Sequence, residues 1–193
     1  MYLRIVRSAL PLIMVVAISR LLPPDWAAAS WAVLLGVHIL IAWRRLRTGS
    51  WLSWAGAALL ALFFLNDVAV HVIWADRHAT FLFYAFLAVT GLTSLVVNRP
   101  FTLADARLAV PRQHWSTPAF IAINRTISAA WSVTFLVNAF IAGWSPLDTE
   151  TTAGICYLGI IATIIFSDRY PAWCRRRMAR ARSGFVSASE AAR

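Results

Sequence analysis

The chain has 193 residues, of which 60% are hydrophobic and only 13% charged, and its net charge is +10. A soluble domain carries roughly a quarter of its residues charged, so a water-soluble fold is excluded: a core of this length cannot hide so much apolar surface. Nucleic-acid binding is excluded as well, because the charge gathers between hydrophobic stretches and no basic face or recognition motif accompanies it.

The first apolar segment covers about residues 3–22, with Pro11 inside it and Arg4 and Arg7 ahead of it. It resembles a signal peptide, with small residues at Ala27, Ala28 and Ala29. A retained helix is the better reading, because cleavage there would cut into the next apolar stretch. The second segment, residues 26–43, is entered through Pro23, Pro24 and Asp25, which suit a helix start, and is stopped by Arg44, Arg45 and Arg47. The third runs over 51–74 and the fourth over 79–97, joined by Ala75, Asp76, Arg77 and His78. Residues 98–125 are too many for a turn. Thr102 and Asp105 have capping-box spacing, which predicts a short interfacial helix over 103–110, stopped by Pro111. Thr117 as cap and Pro118 at the first helical position form a second start signal. The fifth segment is placed at 126–144 and the sixth at 151–166, each near the ~20 residues that cross ~30 Å of hydrocarbon. A basic run from Arg175 to Arg182 follows, and residues 183–193 are small and polar enough to read as a disordered cytoplasmic tail.

All eighteen basic residues are arginine, and only Arg20 and Arg77 lie outside the N-terminal flank, the second and fourth gaps and the C-terminal region. Because Lys and Arg are retained in cytoplasmic loops, the sequence predicts six crossings with both termini cytoplasmic. The fold class is thus all-α: residues 1–182 form a single bundle of six transmembrane helices with a short interfacial helix. The gaps of opposite sign carry Asp25, Asp76, Asp148 and Glu150. Eight of the ten tryptophans sit near segment ends, as indole rings favour the headgroup level; Trp31 and Trp131 are the interior exceptions, expected to pack between helices. Arg44, Arg45, Arg47, Arg175, Arg176 and Arg177 are expected to meet anionic lipid headgroups, at about 1 kcal/mol each. Cys156 and Cys174 fall toward opposite faces and should not pair, since a bridge needs Cα atoms within about 7 Å.

The strongest polar intrusion is Asn66, Asp67 and His71 in the third segment. Asp67 and His71 are four apart and would share one helix face, with Trp74, and His78 if the helix continued, extending the stripe. Counted from Trp74, Asp67 would lie roughly 10 Å below the outer surface, near the depth of Asn138 and Cys156. Asn66, Asp67, His71 and Asn138 therefore form a candidate intramembrane polar site. Three uses are open. Asp67 could lock helices, though interhelical hydrogen bonds return only about 0.6–2 kcal/mol against an insertion cost of about 2.5–3.5 kcal/mol at the bilayer centre. It could handle protons or cations, or it could bind a metal with His71 and His78, although a zinc site usually needs three or four protein ligands. His38 reads as a satisfied packing residue. Thr90, Thr93, Ser94, Ser128, Ser132 and Thr134 read as helix contacts. No nucleophile–base arrangement, phosphate-cradling glycine loop or metal-ligand spacing is present, and no catalytic residue, cofactor or metal is assigned. A three-plus-three inverted repeat would suggest a transporter, but the halves share no residue-level similarity.

Several short stretches bear on family. They are Arg44-Arg45-Leu46-Arg47 before the third helix, Asn98-Arg99-Pro100-Phe101 after the fourth, and Val110-Pro111-Arg112-Gln113-His114-Trp115. Asn124-Arg125 then precedes a fifth helix containing Trp131. The region they mark, from the third segment to the fifth, covers about half the chain and resembles the intracellular septation protein A-like proteins of the bacterial inner membrane. The resemblance implies a small multi-helix protein of cell-envelope maintenance and division, without a catalytic role. The expectation is a non-enzymatic inner-membrane protein acting through membrane partners or as a homo-oligomer. The alternatives are a small proton- or cation-coupled transporter or channel using Asp67 and His71, and a membrane-embedded metal-binding protein or enzyme.

Overall fold

The computed structural model describes residues 27–47 and 49–191, and among them every regular element is helical. Helix α1 spans Ala27–Arg47, α2 Trp51–Leu65, α3 Ile73–Arg77, α4 Ala79–Val96, α5 Thr102–Arg107, α6 Pro118–Trp144 and α7 Thr149–Ala191. A single π-helical turn, Asn66–Val70, follows α2, and a 3₁₀ turn, Arg112–His114, precedes α6. Five helical stretches among the described residues are long and apolar enough to cross a membrane: Ala29–Arg47, Trp51–Val70, Ala79–Val96, Pro118–Trp144 and Thr149–Arg180. The expected first segment at 3–22 lies outside the described residues.

Two helix ends are closed by residues suited to it. After α1, Gly49 takes φ 74°, the Gly49 N–H reaches the Leu46 carbonyl and the Ser50 N–H reaches that of Arg45. After α4, Asn98 takes φ 56°, with Asn98 N–H on Leu95 and Arg99 N–H on Ser94. Both are Schellman closures, which need a left-handed residue and so favour Gly or Asn. At the start of α6, Thr117 Oγ1 accepts the Phe120 N–H at 3.4 Å, with Pro118 in the first turn. The second start signal read from the sequence thus opens the spanning helix itself, eight residues earlier than the expected 126.

Helices α1, α2, α4, α6 and α7 pack in chain order, each on its neighbours, and the α4–α6 contact is the most extensive. The main core lies among α4, α6 and α7 and holds Tyr84, Leu87, Ala88, Phe135, Ala139, Cys156 and Ile160. Phe101, just after α4, turns back into the same core. A smaller cluster joins α1 to α2 through Leu34 and Leu60, with Trp31 stacked on Phe63 at 4.9 Å. Exposed Leu40, Val96, Phe140 and Leu158 show how much apolar surface points outward, a distribution that hydrocarbon accommodates and water does not.

Several expectations need correction. The third segment is not one helix to residue 74, because it breaks after Val70. The short helix is Thr102–Arg107, not 103–110, and Thr102 does not cap it: its hydroxyl is bonded across to α6. The sixth segment does not end at 166. Helix α7 runs for 43 residues through Pro171 to Ala191, so most of the expected disordered tail is helical. Alternating Ala and Arg over 179–182, just ahead of that tail, are strong helix formers.

Candidate functional site

The break after α2 is built by Asn66. Its carbonyl accepts the His71 N–H at 2.7 Å, closing a wide π turn, and its buried side-chain Oδ1 accepts the Val72 N–H at 3.1 Å. An asparagine side chain that satisfies backbone donors offers the chain an alternative to the helix, and the β-branched Val68, Val70 and Val72 weaken helix propensity around it. His71 sits in the left-handed region at φ 55°, a conformation that costs a non-glycine residue roughly 1–2 kcal/mol. Single π turns recur at functional sites.

This geometry overturns the expected helical stripe. Asp67 is half-buried within the π turn, whereas His71 is exposed on the left-handed residue that ends it, so the two do not share a regular helix face. Trp74 and His78 form a separate pair. Their rings stack at 4.6 Å, and His78 Nδ1 lies 2.9 Å from the Trp74 carbonyl. The apolar helical stretch Trp51–Val70 includes the π turn, so Asp67 stands near its C-terminal end.

Asn138 belongs to a different layer. Its Nδ2 donates to the Cys156 carbonyl at 3.1 Å, and Cys156 Sγ points back at the Asn138 carbonyl at 3.8 Å. The Tyr84 phenol from α4 faces the same amide. Gly159 makes room: a Cβ there would stand 3.2 Å from Asn138 Oδ1. This layer ties α4, α6 and α7 together. Of the four candidate residues, Asn66 and Asp67 share the π turn, His71 ends it, and Asn138 is engaged with α7.

A second polar seam lies on the arginine-rich side, where Ser94, Ser128 and Ser132 make the helix contacts expected of them and Thr102 and Asn124 join them unforeseen. Thr102 Oγ1 bonds Asn124 O at 3.0 Å and Ser128 Oγ at 2.9 Å, and Ser94 Oγ receives the Phe101 N–H at 3.3 Å. Ser132 Oγ donates to the Ser128 carbonyl at 2.8 Å, directly against Gly91 of α4. Asn124, Ser128 and Ser132 recur every four residues, so they line one helix face; that spacing was the available signal. Between α6 and α7, Thr134 meets Thr163 at 2.6 Å and Trp131 Nε1 donates to Ser167 at 3.0 Å. His38 is held by the Ser53 carbonyl at 3.0 Å.

The arginines divide into two groups. Arg44, Arg47, Arg175, Arg176 and Arg177 are exposed, and Arg177 lies over the Trp173 ring at 5.3 Å. Arg45 is half-buried, and its Nε sits 3.0 Å from Asp105 Oδ1, joining the end of α1 to α5. The headgroup expectation for Arg45 did not include this partly exposed ion pair. Burial pushes the Asp105 carboxyl above the usual carboxylate range, and the attraction of Arg45 opposes this only in part. On the opposite side, Asp148 caps α7. It accepts the Thr151 hydroxyl at 2.6 Å and the N–H groups of Glu150 and Thr151, each at 3.0 Å, and these bonds hold its carboxyl below the usual range.

Among the described residues no three His, Cys, Asp or Glu side chains come together in a group that could hold a metal ion. Both cysteines are unbridged, Cys156 buried and Cys174 half-buried. Comparison with family models, curated proteins and solved structures gives no match.

Proposed function

We propose that this chain is a non-catalytic, multi-pass protein of the bacterial cytoplasmic membrane that supports cell-envelope maintenance or division through lateral contacts with membrane partners. Six crossings, with residues 3–22 as the first, place the arginine-rich side and both termini in the cytoplasm and lay α5 at that interface. The observation that carries this reading is the use of the buried and half-buried polar side chains. Asn138, Ser128, Ser132, Thr134, Thr163 and Trp131 are engaged in bonds within and between helices, which makes a fixed frame. The resemblance of the 44–47, 98–101 and 110–115 stretches to septation protein A-like proteins supports the same assignment.

Two experiments test it. Reporter fusions at Gly49 and at the C-terminus should report the same, cytoplasmic side; opposite sides would reject the topology. Mild in-membrane crosslinking should recover the chain with envelope proteins, and recovery of the chain alone would count against a partner role.

One observation favours a second reading, proton or cation transport. The π turn interrupts a spanning helix beside Asp67, and interrupted helices provide ion sites in transporters. Asp67→Asn would then abolish pH-dependent flux in liposomes while leaving insertion intact. Absence of flux in the unmodified protein rejects that reading.

A further inference from the structure

A groove of about 420 Å³ opens where the first turns of α6 meet α7 beyond Pro171. Its floor is small and apolar, formed by Ala119, Ala122 and Ile123, and its far wall carries Tyr170, Trp173 and Arg177. We propose that this groove seats a single anionic phospholipid, with an acyl chain along the alanine floor and the phosphate on Arg177. The inference rests on the chain being membrane-embedded and adds a defined ligand position to that reading.

Three features point to this occupant. First, the volume falls within the roughly 300–1,000 Å³ of small-molecule sites, and the small side chains of Ala119 and Ala122 line it. Second, the rim is amphipathic, with aromatic rings beside a guanidinium. Tyr170 stacks between Phe166 at 4.9 Å and Trp173 at 5.8 Å, forming an aromatic ladder along α7, and such rings favour the headgroup zone. Third, charge is complementary. Arg177 is held over Trp173 at 5.3 Å, which fixes a planar guanidinium whose donors suit a phosphate bidentately. Arg175 and Arg176 stand exposed beside it, and α6 begins here with the positive end of its helix dipole. Pro171 contributes locally: it lacks the N–H that would bond the Ser167 carbonyl, so α7 has a missing rung next to the groove.

The test uses the purified full chain in detergent, with native mass spectrometry counting retained lipid during titration with phosphatidylglycerol or phosphatidylcholine. The unmodified protein should hold one phosphatidylglycerol in preference to phosphatidylcholine. Arg177→Gln should weaken that retention roughly fivefold, the equivalent of about 1 kcal/mol. Ala122→Phe, which fills the floor without touching the charge, should abolish it. Arg112→Gln, on the same side but outside the groove, should leave it unchanged. Equal retention of the two lipids overturns the proposal, as does equal weakening by Arg177→Gln and Arg112→Gln, which would mean a diffuse charge atmosphere. If Ala122→Phe does not insert, the Arg177 and Arg112 pair still decides. Failure of the unmodified chain to partition into membranes would instead overturn the membrane assignment itself.

Discussion

Gly91 offers a sharp test of the α4–α6 contact. A Cβ built there runs into Ser132 Oγ, with Ser132 Cβ at 3.3 Å and Phe101 Cε1 at 3.5 Å. Ser132 cannot swing away freely, because its hydroxyl is bonded to the Ser128 carbonyl and its side chain is fully buried. In open space, Gly→Ala within a helix gains about 1 kcal/mol. Here the overlap should reverse the sign, and overpacking of this kind costs roughly 1–3 kcal/mol. Ser132→Ala removes the overlapping oxygen and forfeits a polar contact worth about 0.6 kcal/mol in membrane helices. The double variant Gly91→Ala/Ser132→Ala keeps only the milder 3.3 Å contact, and should recover most of the lost stability. The assay is equilibrium unfolding in mixed micelles followed by tryptophan fluorescence. A double-mutant cycle should give a coupling of roughly 1–2 kcal/mol in the direction of rescue. If Gly91→Ala is neutral, or if Ser132→Ala adds to the damage, the close approach of α4 and α6 described here is wrong.

Further predictions follow from single sites. His71→Gly should stabilise the fold by about 1 kcal/mol, because the left-handed backbone no longer strains a side chain; a loss of similar size in the same unfolding assay would mean a regular helix through residue 71. Gly56→Leu should destabilise the α1–α2 pair, since a Cβ there stands 2.9 Å from the His38 ring, and thermal melting in detergent would show this as a lowered Tm. For Asp105 the folded carboxyl titrates above its unfolded value, so the folded state binds more protons in that window. Stability should fall as pH rises through it, and Asp105→Asn should flatten the slope measured by micelle unfolding across that range. Asp148 has the opposite sign. Its lowered carboxyl contributes stability above the unfolded value and loses it as pH falls toward the folded one, so Asp148→Asn should remove the acid-side loss of helicity seen by circular dichroism.

Much of the architecture is legible in the residues themselves. Apolar run lengths, arginine stops and the Thr117–Pro118 start mark helix positions because each acts locally, through burial, charge or backbone hydrogen bonding. Asn98, the residue that closes α4, is also of a type suited to its left-handed backbone. The break after α2 was misread because apolar continuity from Trp51 to Trp74 says nothing about one asparagine whose side chain replaces a backbone acceptor. The four-residue spacing of Asn124, Ser128 and Ser132 was present in the sequence, but Thr102, which bonds Asn124 and Ser128, and Gly91, which lies against Ser132, are far away in the chain. Only the fold brings them together. The Arg45–Asp105 pair was hidden for the same reason: position pointed Arg45 toward lipid, and only packing shows the carboxylate beside it.

Helix α7 has a mechanical consequence. Its 43 residues amount to a rod of roughly 65 Å at 1.5 Å per residue, about twice the thickness of the ~30 Å hydrocarbon layer. Whatever grips the free portion therefore acts at the end of a long lever arm, whose fulcrum is the Thr134–Thr163 and Trp131–Ser167 contacts. A small sideways pull there would reach the α6 seam as torque, with the missing rung at Pro171 as the natural point of flexure.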